Sequence, residues 1–166
     1  NNISNPPPPD PAGAYGNSNK SILVWYWGNA VGEDFEMIVD KTSLDGFENA
    51  QLTFDRAYAQ FQTTNDAVEI FISTDCGDSW TSVYQNSGAD MATAPPSSSF
   101  FYPTPNQWET DTVDLSAFDG ASEIVVRFYF LSDFGNNMYI DNVNVTSDLV
   151  TSVNEPQELD GEIGLF

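Results

Sequence analysis

Histidine is absent from the sequence, and cysteine occurs once, at Cys76. Without histidine, the chain lacks the commonest general base and the commonest zinc ligand. Because Cys76 is alone, no internal disulfide and no cysteine-rich metal site can form. We expect Cys76 to be a free thiol or to pair with a cysteine outside this chain.

Basic residues are also scarce: four Lys and Arg stand against 25 Asp and Glu, for a net charge of −21. This negative charge repels nucleic acids and anionic membranes, so neither is an expected partner. No apolar run approaches the ~18 residues of a membrane span, which predicts no membrane insertion. The chain lacks an initiator Met and a signal segment. We therefore expect a piece of a longer protein that is secreted or lies at the cell surface.

Motifs for catalysis are missing as well. The sequence has no Gly-rich phosphate loop and no His-Glu-x-x-His. Paired carboxylates could support glycoside chemistry, but among 25 acids such pairs arise by chance. We predict that this chain is not an enzyme.

A β-hairpin is the clearest local pattern. Val68, Ile70 and Ile72 alternate with more polar residues, and a turn with Gly77 precedes Trp80. Residues 73–80 fit the Asp-box, Ser-x-Asp-x-Gly-x-x-Trp, which propellers repeat in each blade. Only one copy occurs here, which favours a structural hairpin.

Alternating segments bounded by turn residues predict about eight strands and no helix. The segments are 21–27, 34–39, 50–58, 68–73, 80–84, 108–115, 123–131 and 138–145. This spacing indicates an all-β sandwich or barrel, and we predict a jelly-roll β-sandwich of antiparallel strands. The domain would cover 19–146, with a Pro/Asn-rich linker or irregular edge at 1–18 and an acidic linker at 147–166.

Three further groups of residues carry a resemblance to a known family. They are Asn19-Lys20-Ser21 before an apolar strand, Ser73 to Trp80, and the segments 112–118, 126–128 and 136–143. Together they resemble the MAM-like jelly-roll family, also called cleaved-adhesin or choice-of-anchor domains, of secreted Bacteroidetes proteins. In the motif of residues 73–80, the Asp75-Cys76-Gly77 sequence is most similar to that of domains that follow the catalytic domain of pappalysin-type zinc metalloproteases. The resemblance implies a non-catalytic, calcium-bearing sandwich that serves substrate or surface adhesion, or stabilises its parent protein.

A calcium site centred on Asp141 is the predicted cofactor site. Asp141 shares its strand parity with Val143 and Val145, so it points inward if the valines do. A buried carboxylate must then be protonated, hydrogen-bonded, ion-paired or metal-bound. Arg56 or Arg127 could pair with it, and a bulge could turn it outward. If calcium binds, the expected additional ligands are Asn19, Glu33, Asp34 and, less strongly, Asp10.

Aromatic side chains are the candidates for ligand binding. The rival function is a carbohydrate-binding module of a polysaccharide-degrading enzyme, which needs two or more rings on one exposed face. The candidates are Trp25, Trp27, Phe71, Phe101, Tyr102 and Trp108. Most large aromatic residues are expected in the core. In the loop 87–107, the consecutive rings at 100–102 cannot all point inward, so this loop should contribute to any partner surface.

The C-terminal stretch 146–166 is predicted to lie outside the sandwich. It ends in Gly164-Leu165-Phe166 and resembles the entry to the C-terminal sorting domain of type IX secretion. We expect an extracellular protein or polysaccharide as partner, and a monomer for the isolated domain.

Overall fold

The computed structural model describes residues 13–151, which form an all-β sandwich of eight strands. The prediction of an all-β fold is confirmed. The strands are β1 Ile22–Val24, β2 Asp34–Thr42, β3 Phe47–Tyr58, β4 Ala67–Ser73, β5 Thr81–Ser87, β6 Glu109–Asp114, β7 Ile124–Leu131 and β8 Met138–Leu149. Short 3₁₀ turns lie at Ala14–Gly16, Gly88–Met91, Pro105–Gln107 and Ser116–Phe118. Among the described residues, no helix is long and apolar enough to cross a membrane.

The strands form two four-stranded antiparallel sheets. The first has the order β1-β8-β3-β6 and the second β2-β7-β4-β5. Strand 1 therefore pairs with 8, 2 with 7, 3 with 6, and 4 with 5. This is the connectivity of a long hairpin rolled into two sheets, and it is the predicted jelly roll.

The main core lies between the sheets and follows the alternation of the sequence. On β7, Ile124, Val126, Phe128 and Phe130 are at most 1% exposed, and they face β3 residues such as Phe54. Strand β7 lies between β2 and β4, inside the second sheet.

A second apolar cluster lies on the outer face of the first sheet. Ala57 and Tyr139 belong to it, while their neighbours Tyr58 and Met138 belong to the main core. The β5–β6 connection covers this face and contributes Phe101 and Trp108, which are 6% and 5% exposed. The long loop is thus packed against the sandwich, and the sandwich has two separate apolar clusters.

A β-bulge divides strand β8. Thr53 pairs with Asn144, whereas Asp55 pairs with Asp141, so β8 has one residue more than β3 in this interval. Asn142 adopts a φ of 49° there, a conformation that Asn tolerates better than most residues. The bulge reverses the parity of the strand: Tyr139 lies in the outer cluster, while Val143 and Val145 pack on the main core.

Two predicted boundaries are corrected. The first strand is only Ile22–Val24 and not 21–27. Of the two alternatives for 1–18, the described residues 13–18 favour the irregular edge, because the Ala14 N–H donates to Asp141 and Ala14 is 1% exposed. Residues 146–149 belong to the sheet, since Thr146 pairs with Gln51 and Leu149 with Phe47. Thr146, Ser147 and Asp148 are all polar and Leu149 is 64% exposed, so no apolar alternation marks this end of the strand.

The predicted hairpin is present between β4 and β5. The Asp75 carboxylate accepts hydrogen bonds from the backbone N–H and the hydroxyl of Ser79, and from the Ser73 hydroxyl at 2.7 Å. Gly77 has a φ of 96°, as the turn requires. Cys76 is an exposed free thiol, 3.2 Å from Glu123.

Candidate ligand-binding surface

Four loops meet at one end of the sandwich. They connect β1 to β2, β3 to β4, β5 to β6 and β7 to β8. The strand register places them together: the end of β1 and the end of β3 both lie beside the start of β8, where Val24 and Tyr58 pair with Met138. In the other sheet, Ala67 at the start of β4 lies beside Leu131 and Ser87.

Partly exposed aromatic rings from these four loops form a continuous surface, the aromatic patch. Phe100 is at its centre, with ring centroids 5.7 Å from Trp25, 6.1 Å from Trp27 and 4.7 Å from Tyr102. Trp27 in turn lies 5.4 Å from Phe61. The patch consists of these rings and Phe134: Trp25, Trp27, Phe61, Phe100, Tyr102 and Phe134. Trp25 is 37% exposed and Phe134 54%.

The patch contains an apolar pocket of about 270 Å³. Its walls are Trp27, Phe61 and Phe134, and Gly28 and Gly135 complete its lining. The ring planes of Trp27 and Phe61 are inclined by 78°. The rings therefore enclose a space and do not form a flat platform.

A buried carboxylate holds two of the loops together. Asp66 is fully buried, and its Oδ1 accepts hydrogen bonds from the backbone N–H groups of Asp133 at 2.8 Å and Gly135 at 3.1 Å. Its Oδ2 accepts from the Tyr58 hydroxyl at 2.7 Å. Burial raises the pKa of Asp66, and the donated hydrogen bonds partly oppose that effect. The loop that presents Phe134 is thereby fixed to the loop that presents Phe61.

A second, more polar cleft of about 600 Å³ adjoins the patch and shares Trp25 with it. We call it the polar cleft; its lining is Leu23, Trp25, Asn29, Gly32, Glu33, Asp34 and Phe35. The Gly32 N–H donates to the Ser132 carbonyl at 2.8 Å, and the Ser132 N–H donates to the Glu33 carbonyl at 2.9 Å. These two backbone bonds fix the wall of the cleft to the β7–β8 loop.

The predicted aromatic candidates have different positions. Trp25, Trp27 and Tyr102 lie in the patch. Phe101 and Trp108 do not, because both are buried in the second apolar cluster, so their assignment to a binding surface is corrected. Phe71 lies on the outer face of the second sheet, where the Arg127 guanidinium stacks on its ring at 4.6 Å.

Sequence reasoning missed Phe61 and Phe134. Each is a single aromatic residue in a short polar turn between two strands, so neither contributes to an alternating pattern. Phe134 adopts a φ of 58°, which is uncommon for a bulky residue. A large apolar ring among turn residues was the available signal.

The predicted inward orientation of Asp141 is wrong, because the bulge at Asn142 turns this side chain to the outer face. Its Oδ2 accepts hydrogen bonds from the Ala14 N–H and the Ser18 hydroxyl, both at 2.9 Å, and its Oδ1 accepts from the Asn142 N–H at 2.8 Å. The Asp141 carboxylate is thus satisfied by three hydrogen bonds within the protein.

Of the other predicted calcium ligands, Asn19 follows Ser18, which contacts Asp141, whereas Glu33 and Asp34 lie at the start of β2 in the second sheet. Glu33 accepts from the Ala30 N–H, and Asp34 pairs with Leu131 in the second sheet, whereas Asp141 is in the first. Asn19 is exposed, and Asp10 lies outside the described residues. Within residues 13–151, no three acidic or cysteine side chains form a group that could hold a metal ion. A calcium ion needs 6–8 oxygens, and both calcium binding and its ligand set stay predictions.

Comparison with known proteins gives matches among solved structures. No family model and no curated protein match the sequence. The K1 cleaved adhesin domain of Lys-gingipain from Porphyromonas gingivalis W83 matches with a TM-score of 0.57 and 17% identity, over 84% of this chain and 80% of that one. The K3 domain matches with a TM-score of 0.55 and 17% identity, over 79% and 76%. The K2 domain gives 0.52 and 19%, over 79% and 73%.

These likenesses show a shared fold. The chain is a jelly-roll sandwich with the fold of the cleaved adhesin domains, which confirms at the level of fold the resemblance identified in the sequence. The similarity to pappalysin-associated domains stays a prediction.

Proposed function

We propose that this chain is a non-catalytic adhesion or binding domain of a secreted or cell-surface protein, and that the aromatic patch is its contact surface. The observation that carries the proposal is the convergence of six partly exposed rings from four loops at one end of the sandwich. Contiguous exposed apolar surface is typical of an interaction site. Aromatic residues are also enriched at the centres of protein interfaces.

The partner is an extracellular protein or polysaccharide. The net charge of −21 disfavours nucleic acids and anionic membranes as partners. The three similar structures are named adhesin domains, which supports a role in adhesion. A carbohydrate-binding module of a polysaccharide-degrading enzyme is the second candidate, and the exposure of the Trp25 ring at this end of the sandwich supports it.

The parent protein belongs to the proposal as well. We propose a secreted bacterial protein, with a zinc metalloprotease as the candidate and a type IX sorting signal after the domain. The stretch that suggests this signal, 152–166, lies outside the described residues. A His-Glu-x-x-His motif upstream in the full-length protein would support the protease assignment, and its absence there would oppose it.

The experiment is a binding screen with a matched pair of variants. The immobilised domain is exposed to extracellular matrix proteins and to polysaccharides, and the strongest binder is titrated by calorimetry. Phe61→Ala removes a wall of the pocket, and Phe71→Ala removes the same side chain from the outer face of the second sheet. Melting temperatures verify that both variants fold.

We expect Phe61→Ala to weaken binding by about tenfold or more, as is usual for a central interface residue. Phe71→Ala should leave the affinity unchanged. Equal affinity of the wild type and Phe61→Ala, with a loss in Phe71→Ala, would place the binding site on the sheet face and contradict the proposal.

A further inference from the structure

The polar cleft has one apolar side and one side of hydrogen-bonding groups. Trp25 and Leu23 form the apolar side and are 37% and 36% exposed. Asn29, Glu33 and Asp34 form the polar side. A ligand that fits must therefore present an apolar face and polar edges within a few ångströms of each other.

The indole of Trp25 is held in place by its surroundings. A Cβ at Gly28 would lie 1.7 Å from Trp25 Nε1, so the indole rests directly against the backbone of Gly28. On another side, the ring meets Phe100 in an edge-to-face contact with the centroids 5.7 Å apart. A ring fixed in this way loses little conformational entropy when a ligand stacks on it.

The polar side combines acceptors with a donor. Oε2 of Glu33 accepts from the Ala30 N–H at 2.9 Å, which fixes the orientation of this carboxylate. None of the four ion pairs among residues 13–151 includes Glu33 or Asp34. Carboxylates only accept hydrogen bonds, whereas the Asn29 amide both donates and accepts.

We infer that the polar cleft binds a neutral glycan. A sugar ring has an apolar C–H face that can stack on Trp25, and its hydroxyl groups both donate and accept hydrogen bonds, as Asn29 and the carboxylates require. Uronic-acid and sulfated glycans are excluded by the two carboxylates and by the net charge of −21. This inference rests on the proposed binding function and names its ligand class.

A basic side chain of a protein partner is the competing occupant. Its charge would suit Glu33 and Asp34, and it could stack on Trp25. It carries only donors, however, so it would leave the donating group of Asn29 unused. The two occupants also differ in salt dependence, because ion pairing at an exposed site is screened by salt and stacking of a neutral sugar is not.

The test is a panel of neutral and acidic polysaccharides together with a lysine-rich peptide, each measured in low and high salt. The strongest neutral binder is then titrated by calorimetry against Asn29→Ala, Asp34→Asn and Gly28→Ala. Gly28→Ala displaces the indole of Trp25 without removing it. Asp40→Asn is the matched control, since Asp40 is exposed on the same strand as Asp34, about 20 Å away in an extended chain.

We expect a neutral glycan to bind, with little dependence on salt. Each of the three cleft variants should lose about tenfold or more in affinity, while Asp40→Asn binds as the wild type does. If none of the neutral glycans binds, or if the lysine-rich peptide alone binds and salt abolishes this binding, the inference is wrong.

The inference and the proposed function fail differently. Phe134 lines the apolar pocket and does not line the polar cleft. Asn29 and Asp34 line the polar cleft alone, whereas Gly28 also lines the apolar pocket. Glycan binding that is lost in Phe134→Ala but kept in Asn29→Ala and Asp34→Asn would therefore overturn the inference and leave the proposed function standing. Binding that is unchanged in every one of these variants would overturn both.

Discussion

Asp66 and Gly135, which are 69 residues apart in the sequence, are in direct contact: the Gly135 N–H donates to Asp66 Oδ1 at 3.1 Å. A Cβ at position 135 would lie only 1.7 Å from Asp66 Oδ2, so the contact requires glycine. Through it, the loops that present Phe61 and Phe134 keep a fixed distance. The shape of the apolar pocket thus depends on this buried carboxylate.

Asp66→Ala should destabilise the domain by about 2 kcal/mol or more, because three donors lose a buried acceptor. Asp66→Asn keeps one acceptor oxygen and should therefore lose less stability than Asp66→Ala. The measurement is urea unfolding, with the exposed Asp90→Ala as control. If Asp66→Ala were as stable as Asp90→Ala, Asp66 would not anchor the loops.

Acid should weaken the β4–β5 turn through Asp75. Hydrogen bonds from the side chain and backbone of Ser79, and from Ser73, lower the pKa of Asp75 from its ordinary value of 3.8 to about 2. Because the folded-state pKa is depressed, the stability from Asp75 is fully present above about pH 3.8 and is lost as the pH falls through about 2. NMR titration of its carboxyl carbon should give a midpoint near 2.

The control for this prediction removes one of the donors to Asp75. The stability difference between the wild type and Asp75→Asn should shrink between about pH 4 and pH 2, and it should be smaller in a Ser79→Ala background, which lacks the hydroxyl donor. A carboxyl midpoint at the ordinary value would show that the hydrogen bonds of the turn do not form in solution.

The guanidinium of Arg127 connects the hairpin turn to the second sheet. It lies 4.2 Å from the ring centroid of Trp80 and 4.6 Å from that of Phe71, and it donates to Glu36 at 3.3 Å. We expect Arg127→Met to cost about 1–2 kcal/mol of unfolding free energy and to change Trp80 fluorescence. Arg127→Lys should recover little of the lost unfolding free energy, because lysine lacks the planar group that stacks between the rings.

Lys41→Met provides the comparison for Arg127. Lys41 also forms an ion pair, with Glu123 at 2.7 Å, but its side chain is 68% exposed. Exposed pairs contribute about 0–1 kcal/mol, so this variant should be close to the wild type in stability. Equal losses of stability in Lys41→Met and Arg127→Met would mean that the stacking of Arg127 on Phe71 and Trp80 adds no stability beyond its ion pair.

Calcium binding is tested by thermal melting with excess calcium and with chelator. If Asp141 holds calcium, the ion should stabilise the wild type by about 2.7 kcal/mol at a concentration of 100 times Kd, and the melting temperature should rise accordingly. The increase should disappear in Asp141→Ala and persist in Asp148→Ala, which removes a carboxylate further along β8. Equal melting of the wild type in calcium and chelator would reject the prediction.

The fold could be predicted because its signals are local. Alternation on β2, β3, β4 and β7 and the turn around Gly77 are visible in the sequence, and they specify the strands of an all-β sandwich or barrel. Arg56 shows where such reasoning ends: the sequence offered it as an ion-pair partner of Asp141, and it pairs instead with Asp111 at 2.5 Å and Glu109 at 3.2 Å.

The orientation of Asp141 could not be predicted, because it depends on one additional residue. A bulge at Asn142 leaves the alternation of the letters unchanged but reverses which face each side chain occupies. Asn occurs far more often in turns than in bulges, so its presence alone does not identify a bulge.

The binding surface could be predicted only in part, because it depends on which loops meet. Trp25 and Trp27 were identified as candidates from their type, but Phe61 and Phe134 join them only through the jelly-roll connectivity. Trp108 was misassigned for the same reason: the loop that covers the outer face of the first sheet buries it, and alternation along β6 carries no information about that cover.

The most direct test uses the indole N–H signals of the four tryptophans in an NMR titration with the strongest binder. Trp25 and Trp27 lie in the aromatic patch, Trp80 stacks on Arg127 at the second sheet, and Trp108 is buried in the second cluster. We predict that the signals of Trp25 and Trp27 shift with the ligand while those of Trp80 and Trp108 do not. A shift of Trp80, with Trp25 and Trp27 unchanged, would contradict a binding surface at the loop end.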